Sequence, residues 1–505
     1  AGAGIQIDVD VEWNGNCDVM LQANMTKSAK FPFGVRAIKL SGRMHILLSP
    51  LTTELPVVSA VQFGFTNPPD VRLEFTGAVK SVASLGPVQS AVGNVINSSL
   101  ASMLVLPYRM VVPIDLTSYD FLDAYQPPAG MVRLAAVSGR GFKVAKKFLY
   151  KDVPDVYCRM RLGASEAVRT STRYNDLTPS WGEEESHDFV LYDMDQKVYL
   201  EAFDEDRSPL DPDDELGRAE VRVRDLFRND GACELELRLE GGKETGCFIT
   251  LSAELFGLSE GIRSFSSPEY GKTNQLCGLA TIIVTRGFDI PIPKEDASTY
   301  VEVVYGRSTE HEAKFCTGTV MDYPGCDGLN PTYDSAFHVP ISAAMMKGEG
   351  GGTRNGSASG KKRDGTGRND IEFRLIDVEG ANGTKGRGEL GAFTVTHESL
   401  RTARRHTVTQ TRPIGDGGAK LEFRVILSGM ESETEKSQLS SPQPDGERPP
   451  STYGGMVESN LNVRVTALRG RGFQISKRKK GKKEDVPDVY CVIHHNSGRG
   501  APKTP

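Results

Sequence analysis

A chain of 505 residues, 38% hydrophobic and 25% charged, has room for roughly three to four globular domains and lacks the bias of a disordered or collagen-like polymer. Its formal net charge of −6 is small for this length, which argues against nucleic acid as a general partner. No run approaches the ~18–20 apolar residues of a membrane-spanning helix, and no signal peptide opens the sequence.

The eight Cys include no CxxC pair, so reduced, buried thiols of a cytosolic protein are expected, and the sequons at Asn24, Asn97, Asn355 and Asn382 read as chance matches. The eight His show no metal spacing and read as surface or satisfied side chains. The chain starts without Met, directly in a strand pattern, and ends at Pro505 early in a repeated unit, so a fragment is expected at both ends.

Residues 5 to 13 alternate strictly, with Ile5, Ile7, Val9, Val11 and Trp13 on one side and Gln6, Asp8, Asp10 and Glu12 on the other, the pattern of a half-buried strand. The period returns at Cys17, Val19, Leu21 and Ala23, at Ile38, Leu40, Met44, Ile46 and Leu48, at Val57, Val61, Phe63 and Phe65, and at Val71, Leu73 and Phe75. A long antiparallel sheet is predicted. After Gly86 and Pro87 the spacing becomes helical through Val88, Val92, Val95, Ile96, Leu100, Met103 and Leu104, and it stops before Pro107. A strand such as Ile5 to Trp13 spans ~30 Å at ~3.3 Å per residue, longer than the ~15 Å of one leaflet's acyl chains, so the sheet can line a lipid-length groove. Ile7, Val9, Leu40, Ile46, Phe63 and Leu73 are the candidate groove residues. Periodicity alone also fits a closed core against the helix.

From Met131 to about Gly257 and from Leu276 to about Gly429, short strands alternate with turn clusters and little helix is indicated, so each segment reads as an antiparallel β-sandwich. Stretches 258–275 and 430–460 are predicted linkers, and the Gly-rich segment 348–369 a loop insertion. An internal repeat ties the units together: Arg140 to Phe142 with Asp152 to Cys158 returns as Arg471 to Phe473 with Asp485 to Cys491, and a fainter copy holds Arg286 to Phe288 with Thr299 to Val301.

Residues 201–215 carry eight acidic side chains against the single cation Arg207. Carboxylates converging from two loops at one end of a sandwich suit Ca²⁺, which takes about six to eight oxygens in irregular geometry. Asp155 sits in the repeated element, and Asp204 and Asp206 point to one side of their loop, so the three can share an ion. A solvated acidic loop is the alternative. In the last copy, Lys477, Arg478, Lys479, Lys480, Lys482 and Lys483 crowd one loop. At ~1 kcal/mol per basic residue near an anionic leaflet, the run offers at most ~6 kcal/mol, enough for weak docking on a phosphoinositide-rich membrane. Nucleic-acid binding is the rival for any basic run, but no stacking aromatics interleave it.

The first sandwich resembles a C2 domain in Asp155-Val156-Tyr157-Cys158, Leu177-Thr178-Pro179-Ser180-Trp181, Asp204-Glu205-Asp206 and Asp214-Glu215-Leu216-Gly217. The resemblance implies calcium ligands at Asp155, Asp204, Asp206 and Asp214. Leu149 stands where the family usually has another Asp, which leaves Asp152 as a substitute, and the longer third loop makes Asp211 or Asp213 rivals of Asp214. The middle copy keeps Leu329, Asn330, Pro331 and Tyr333, but Ser298, Glu379 and Gly388 replace three of the four acids, with Asp377 left. A structural or partner-binding module is expected there.

Residues 5 to about 125 resemble the later part of an SMP domain of the extended synaptotagmin and tricalbin type, through Gly15-Asn16-Cys17, Gly42-Arg43-Met44, Pro50-Leu51, Pro56-Val57-Val58 and Leu104-Val105-Leu106-Pro107-Tyr108-Arg109. The expected fold is mainly β with an α+β N-terminal part: a partial tubular lipid-binding module (1–128), C2-type antiparallel sandwiches at 131–257 and 276–429, and the start of a third at 461–505. The resemblance implies a non-enzymatic carrier of glycerophospholipids at the cytosolic face of the endoplasmic reticulum where it meets the plasma membrane, often dimeric, with a membrane anchor preceding this segment. A calcium-responsive membrane scaffold without lipid transport is the alternative.

Overall fold

The structure is a computed structural model that describes residues 4–24, 30–77, 86–115, 119–146, 151–206, 213–228, 231–260, 276–293, 297–307, 312–322, 326–342, 370–378, 388–432 and 465–466. It is mostly β, with antiparallel sheets throughout the sandwiches. The basic run Lys477 to Lys483, Asp211, Glu379, Cys491 and the Gly-rich insertion lie outside the described residues.

The N-terminal sheet is built on two long strands, β1 (Ile5–Asn24) and β2 (Lys30–Leu48), paired along their length. The other edge of β2 takes β3 (Ala60–Phe65) near its end and β4 (Asp70–Gly77) near its start, and β5 (Met110–Pro113) adds to β3. Helix α1 (Gly86–Leu104) lies against β3 and β4. The pattern predicted two segments where β1 is one strand. Its register shifts between Asn16 and Val19, so the Gly15-Asn16-Cys17 interruption is a bulge in the ladder and not a turn. Val57, expected in a strand, sits in the turn before β3 at φ +61°.

A connector with the short helix α2 (Phe121–Ala124) leads into the first sandwich. Its strands are β6 (Gly130–Arg140), β7 (Ala145–Lys146), β8 (Lys151–Asp152), β9 (Val156–Leu162), β10 (Val168–Arg169), β11 (His187–Leu191), β12 (Lys197–Asp204), β13 (Asp214–Arg222), β14 (Ala232–Arg238) and β15 (Glu244–Glu260), with α3 (Val223–Phe227) after β13. One layer runs β10-β9-β12-β13 and the other β11-β6-β15-β14, while β7 and β8 form a separate hairpin. The alternating apolar faces meet: Val132, Leu134, Met160, Trp181, Leu200 and Ile249 lie in one core.

The second sandwich has β16 (Leu276–Phe288), β17 (Ser298–Tyr305), β18 (Ala313–Cys316), β19 (Val320–Met321), β20 (Thr332–Ser342), β21 (Ile371–Asp377), β22 (Gly388–Val395), α4 (His397–Thr402), β23 (Thr407–Pro413) and β24 (Lys420–Ser432). Phe373, Phe393 and Phe423 pack within 4.8–5.1 Å of one another in its core. The ends of β15 and β24 pair, Phe256 with Ser432 through Glu260 with Ser428, so one sheet runs through both sandwiches over a small core of Met131, Leu279 and Met430. The linkers expected from 258 and 430 therefore begin inside strands. Beyond them β25 (Val465–Thr466) pairs in parallel with Ile7 and Asp8 of β1.

Of the thiols expected to be buried, Cys158, Cys247 and Cys277 are, whereas Cys17, Cys233 and Cys326 are half-buried and Cys316 is exposed. Of the histidines expected to be at the surface or satisfied, His45 departs from that expectation and His338 meets it. His45 is 3% exposed with neither ring nitrogen partnered, and His338 joins two tyrosines from other parts of the chain.

Candidate functional site

In an antiparallel ladder, directly opposed residues share a face. The register therefore draws apolar rows across the N-terminal sheet: Ile5, Leu48, Val61 and Val112; Ile7, Ile46, Phe63 and Met110; Val9, Met44 and Phe65; Trp13, Leu40 and Val71; then Ile38 and Leu73. The six candidate groove residues fall in these rows, and all six are half-buried. Gly42 fits the sheet because Phe65 lies across it; a Cβ there would stand 3.1 Å from the ring and from Pro69.

The opposite face is polar; Gln6, Asp10, Glu12, Lys39 and Arg72 on it are exposed, and the patch at the end of β2 and on β3 is enclosed. Arg43 donates to Asp10 at 3.0 Å, Gln62 donates through Nε2 to the Ala124 carbonyl of the connector at 2.6 Å, and His45 is buried beside them. Burial, reinforced by Arg109 and opposed by Asp8, lowers the His45 pKa to about 4. Asn67 binds the first sandwich through both ends of its amide, donating to the Asp195 carbonyl and accepting from Lys197 N. The sheet thus encloses the end of its polar face that meets the connector and the first sandwich, and leaves its apolar face half-open. Among the described residues, Ile5, Trp13, Met20, Leu51, Leu55, Val57, Val95, Met103, Tyr108, Met110, Val112 and Ile114 are exposed large hydrophobics, against four in all the rest of the chain.

At one end of the first sandwich, three neighbouring strands deliver carboxylates. The rung Val156, Asp204, Asp214 crosses β9, β12 and β13. Buried Asp155 accepts from Asn175 N at 2.7 Å, and its own N–H donates to Asp204 Oδ1 at 2.6 Å. Asp213 accepts from Asp206 N at 3.0 Å and from the Tyr157 hydroxyl at 2.7 Å; the hydroxyl, then the amide, hold its pKa below the usual carboxylate value. Arg169 lies 3.6 Å from the centre of the Tyr157 ring and pairs with Glu205, whose pKa it lowers.

Asp155 is thus tied to Asp204, and Asp206 to Asp213, each pair through a backbone amide, while Asp214 is exposed beside them. Asp152 lies in the β7–β8 hairpin, with its side chain outside the described set. Among the described residues, no three His, Cys, Asp or Glu side chains converge closely enough to hold a metal ion. The carboxylates bond backbone amides, a tyrosine and an arginine. Their hard oxygens, from two loops on adjacent strands, fit Ca²⁺ in chemistry, and binding would exchange these bonds for coordination. In the second sandwich the matching rung is Thr299, Asp377, Gly388, with Ser298 in the place of Asp155.

Residues 3–115 match the family described as the synaptotagmin-like mitochondrial-lipid-binding domain, and residues 130–236 match the C2 domain family. Extended synaptotagmin-3 of Homo sapiens is 25% identical over 344 residues, 62% of this chain and 36% of that protein. The chain is an extended-synaptotagmin-like protein. Extended synaptotagmin-1 of Mus musculus is 28% identical over 244 residues, 47% of this chain and 21% of that protein, so the matched part spans little more than a third of these relatives at most. A solved structure of extended synaptotagmin 2, comprising its SMP domain and two C2 domains, is 19% identical with a TM-score of 0.51, covering 85% of this chain and 84% of that one, which shows a shared fold. No helix among the described residues of this extended-synaptotagmin-like chain is long and apolar enough to cross a membrane.

The sequence places Asp213 only among the rivals of Asp214. The Tyr157 hydroxyl that bonds it lies 56 residues away, and no local pattern signals that contact.

Proposed function

We propose that this extended-synaptotagmin-like chain holds the acyl chains of glycerophospholipids on the open face of its N-terminal sheet. In this reading it moves lipids between the endoplasmic reticulum and the plasma membrane, with its C2 domains docking on anionic membrane. The observation that carries this is the half-open face of aligned apolar rows. Shielding an acyl chain stabilises it by ~0.8 kcal/mol per buried CH₂, so no covalent step is needed. A homodimer through the N-terminal module would extend the face.

Ca²⁺ would be held by Asp155, Asp204, Asp206 and either Asp213 or Asp214, and would supply positive charge to an acidic loop that otherwise repels an anionic leaflet. The basic run Lys477 to Lys483 serves the same docking in the third copy. The domain limits 1–128, 131–257 and 276–429 remain part of this proposal.

Native mass spectrometry of the purified chain tests the lipid reading directly, with co-purifying phospholipid as the expected result. Ile46→Trp with Phe63→Trp fills two directly opposed positions of one row. Unchanged binding of a fluorescent phospholipid by the folded double variant would overturn the groove.

A further inference from the structure

Strand β20 is an edge strand of the second sandwich, hydrogen-bonded on one side to β16. Asp334, at φ +39° where the pairing with β16 shifts register, and His338 both lie on this strand. Both meet the connector. The Tyr119 hydroxyl donates to Asp334 Oδ2 at 3.1 Å, and the Tyr125 hydroxyl lies 2.6 Å from His338 Nε2 with the rings stacked at 21°. The other imidazole nitrogen, Nδ1, is 2.9 Å from the hydroxyl of Tyr192 in the first sandwich, edge-on at 64°. Between these two tyrosines the connector is also tied to the N-terminal sheet through Gln62 and the Ala124 carbonyl. One histidine of the second sandwich therefore touches the connector and the first sandwich at once.

The chemistry suits the place. A neutral imidazole offers one donor and one acceptor, and a tyrosine hydroxyl can serve as either, so a single tautomer satisfies both contacts. Arg109 of the N-terminal module stands close enough to act electrostatically on His338, Tyr125 and Tyr192; burial first, and then this charge, opposes a second proton on the ring. The second sandwich lacks the acid set of the first, yet it presents this rail to a segment that belongs to neither sandwich.

We propose that β20 is the docking edge for the connector, and that His338 is the positioning residue that fixes the N-terminal module relative to both sandwiches. The second sandwich thereby acts as an intramolecular clamp. This holds whether or not the sheet carries lipid.

Hydrogen exchange of the full chain, combined with small-angle scattering, tests the clamp. In His338→Ala the amides of 119–126 should exchange about tenfold faster and the scattering should show a wider spread of shapes, with β6 and β16 protected as before. His338→Gln, which keeps one donor and one acceptor, should recover part of the protection. Unchanged connector exchange in folded His338→Ala would overturn the proposal, and so would a rise spread evenly over all strands, since that marks a merely structural role. If His338→Ala does not fold, Tyr125→Phe with Tyr192→Phe removes only the two hydroxyls; unaltered exchange there overturns the clamp as well.

Discussion

The N-terminal sheet and the first sandwich are written in the same two-residue alternation, and they use it in opposite ways. In the sandwich, the apolar sides of two layers meet, so Leu200, Met160 and Ile249 have no exposed surface. In the N-terminal sheet the equivalent side stays half-open while His45 and Gln62 are enclosed on the other. Alternation states which residues share a side; what covers that side is decided by a partner layer elsewhere in the chain.

The contrast is sharpest in mutational cost. Leu200→Ala should lose ~2–5 kcal/mol in denaturant unfolding, because a sealed core cannot refill the space. Ile46→Ala, on the half-open face, should lose well under half as much; equal losses would mean that the face is a closed core.

Acidification probes the enclosed polar side. Between about pH 6.5 and 4 the unfolded chain binds a proton at His45 that the folded chain refuses. That stability is complete above pH 6.5 and is lost as pH falls, by ~3 kcal/mol at the lower limit. Asp334 acts in the other sense, since burial raises its pKa to about 6 and its charge is relieved on acidification. The comparison to make is therefore between the wild type and His45→Gln across this range, and the variant should show the flatter profile.

Calcium should distinguish the sandwiches. An ion at ~100 times its Kd adds ~2.7 kcal/mol to the state that binds it, seen as a raised melting transition of the chain. Asp204→Asn with Asp206→Asn should abolish the rise. Asp213→Asn against Asp214→Asn then tells which carboxylate completes the set; no shift at millimolar calcium in the wild type would leave the cluster a hydrogen-bonded loop only. The smallest effect belongs to the exposed pair of Arg140 with Glu234, where Glu234→Gln should leave the denaturant midpoint almost unchanged, because water and salt screen the pair.

Much of this was readable beforehand. The helix expected from Val88 to Leu104 lies within α1, because Gly86 and Pro87 mark its start and the 3.6-residue spacing is sustained. The repeat located equivalent rungs in both sandwiches, and the density of acids in 201–215 pointed to the end where they gather. What could not be read depends on distant contacts. The bulge at Asn16 requires the register of β2, the hydrogen bond on Asp213 requires Tyr157, and His338 finds its tyrosines 213 and 146 positions away. An isolated histidine on a strand carries no sign of such company.

The short ladder that joins β15 to β24 has a mechanical meaning. Tension applied between the first sandwich and the C-terminal end of β24 enters at Phe256 and Ser432, which are opposed at the same end of the ladder. Its hydrogen bonds then carry the load one after another, as in a zip, and not all together in shear. Under strain between two anchored points, the joint between the sandwiches should open before either core does, so the chain can lengthen and close again with both folded units intact.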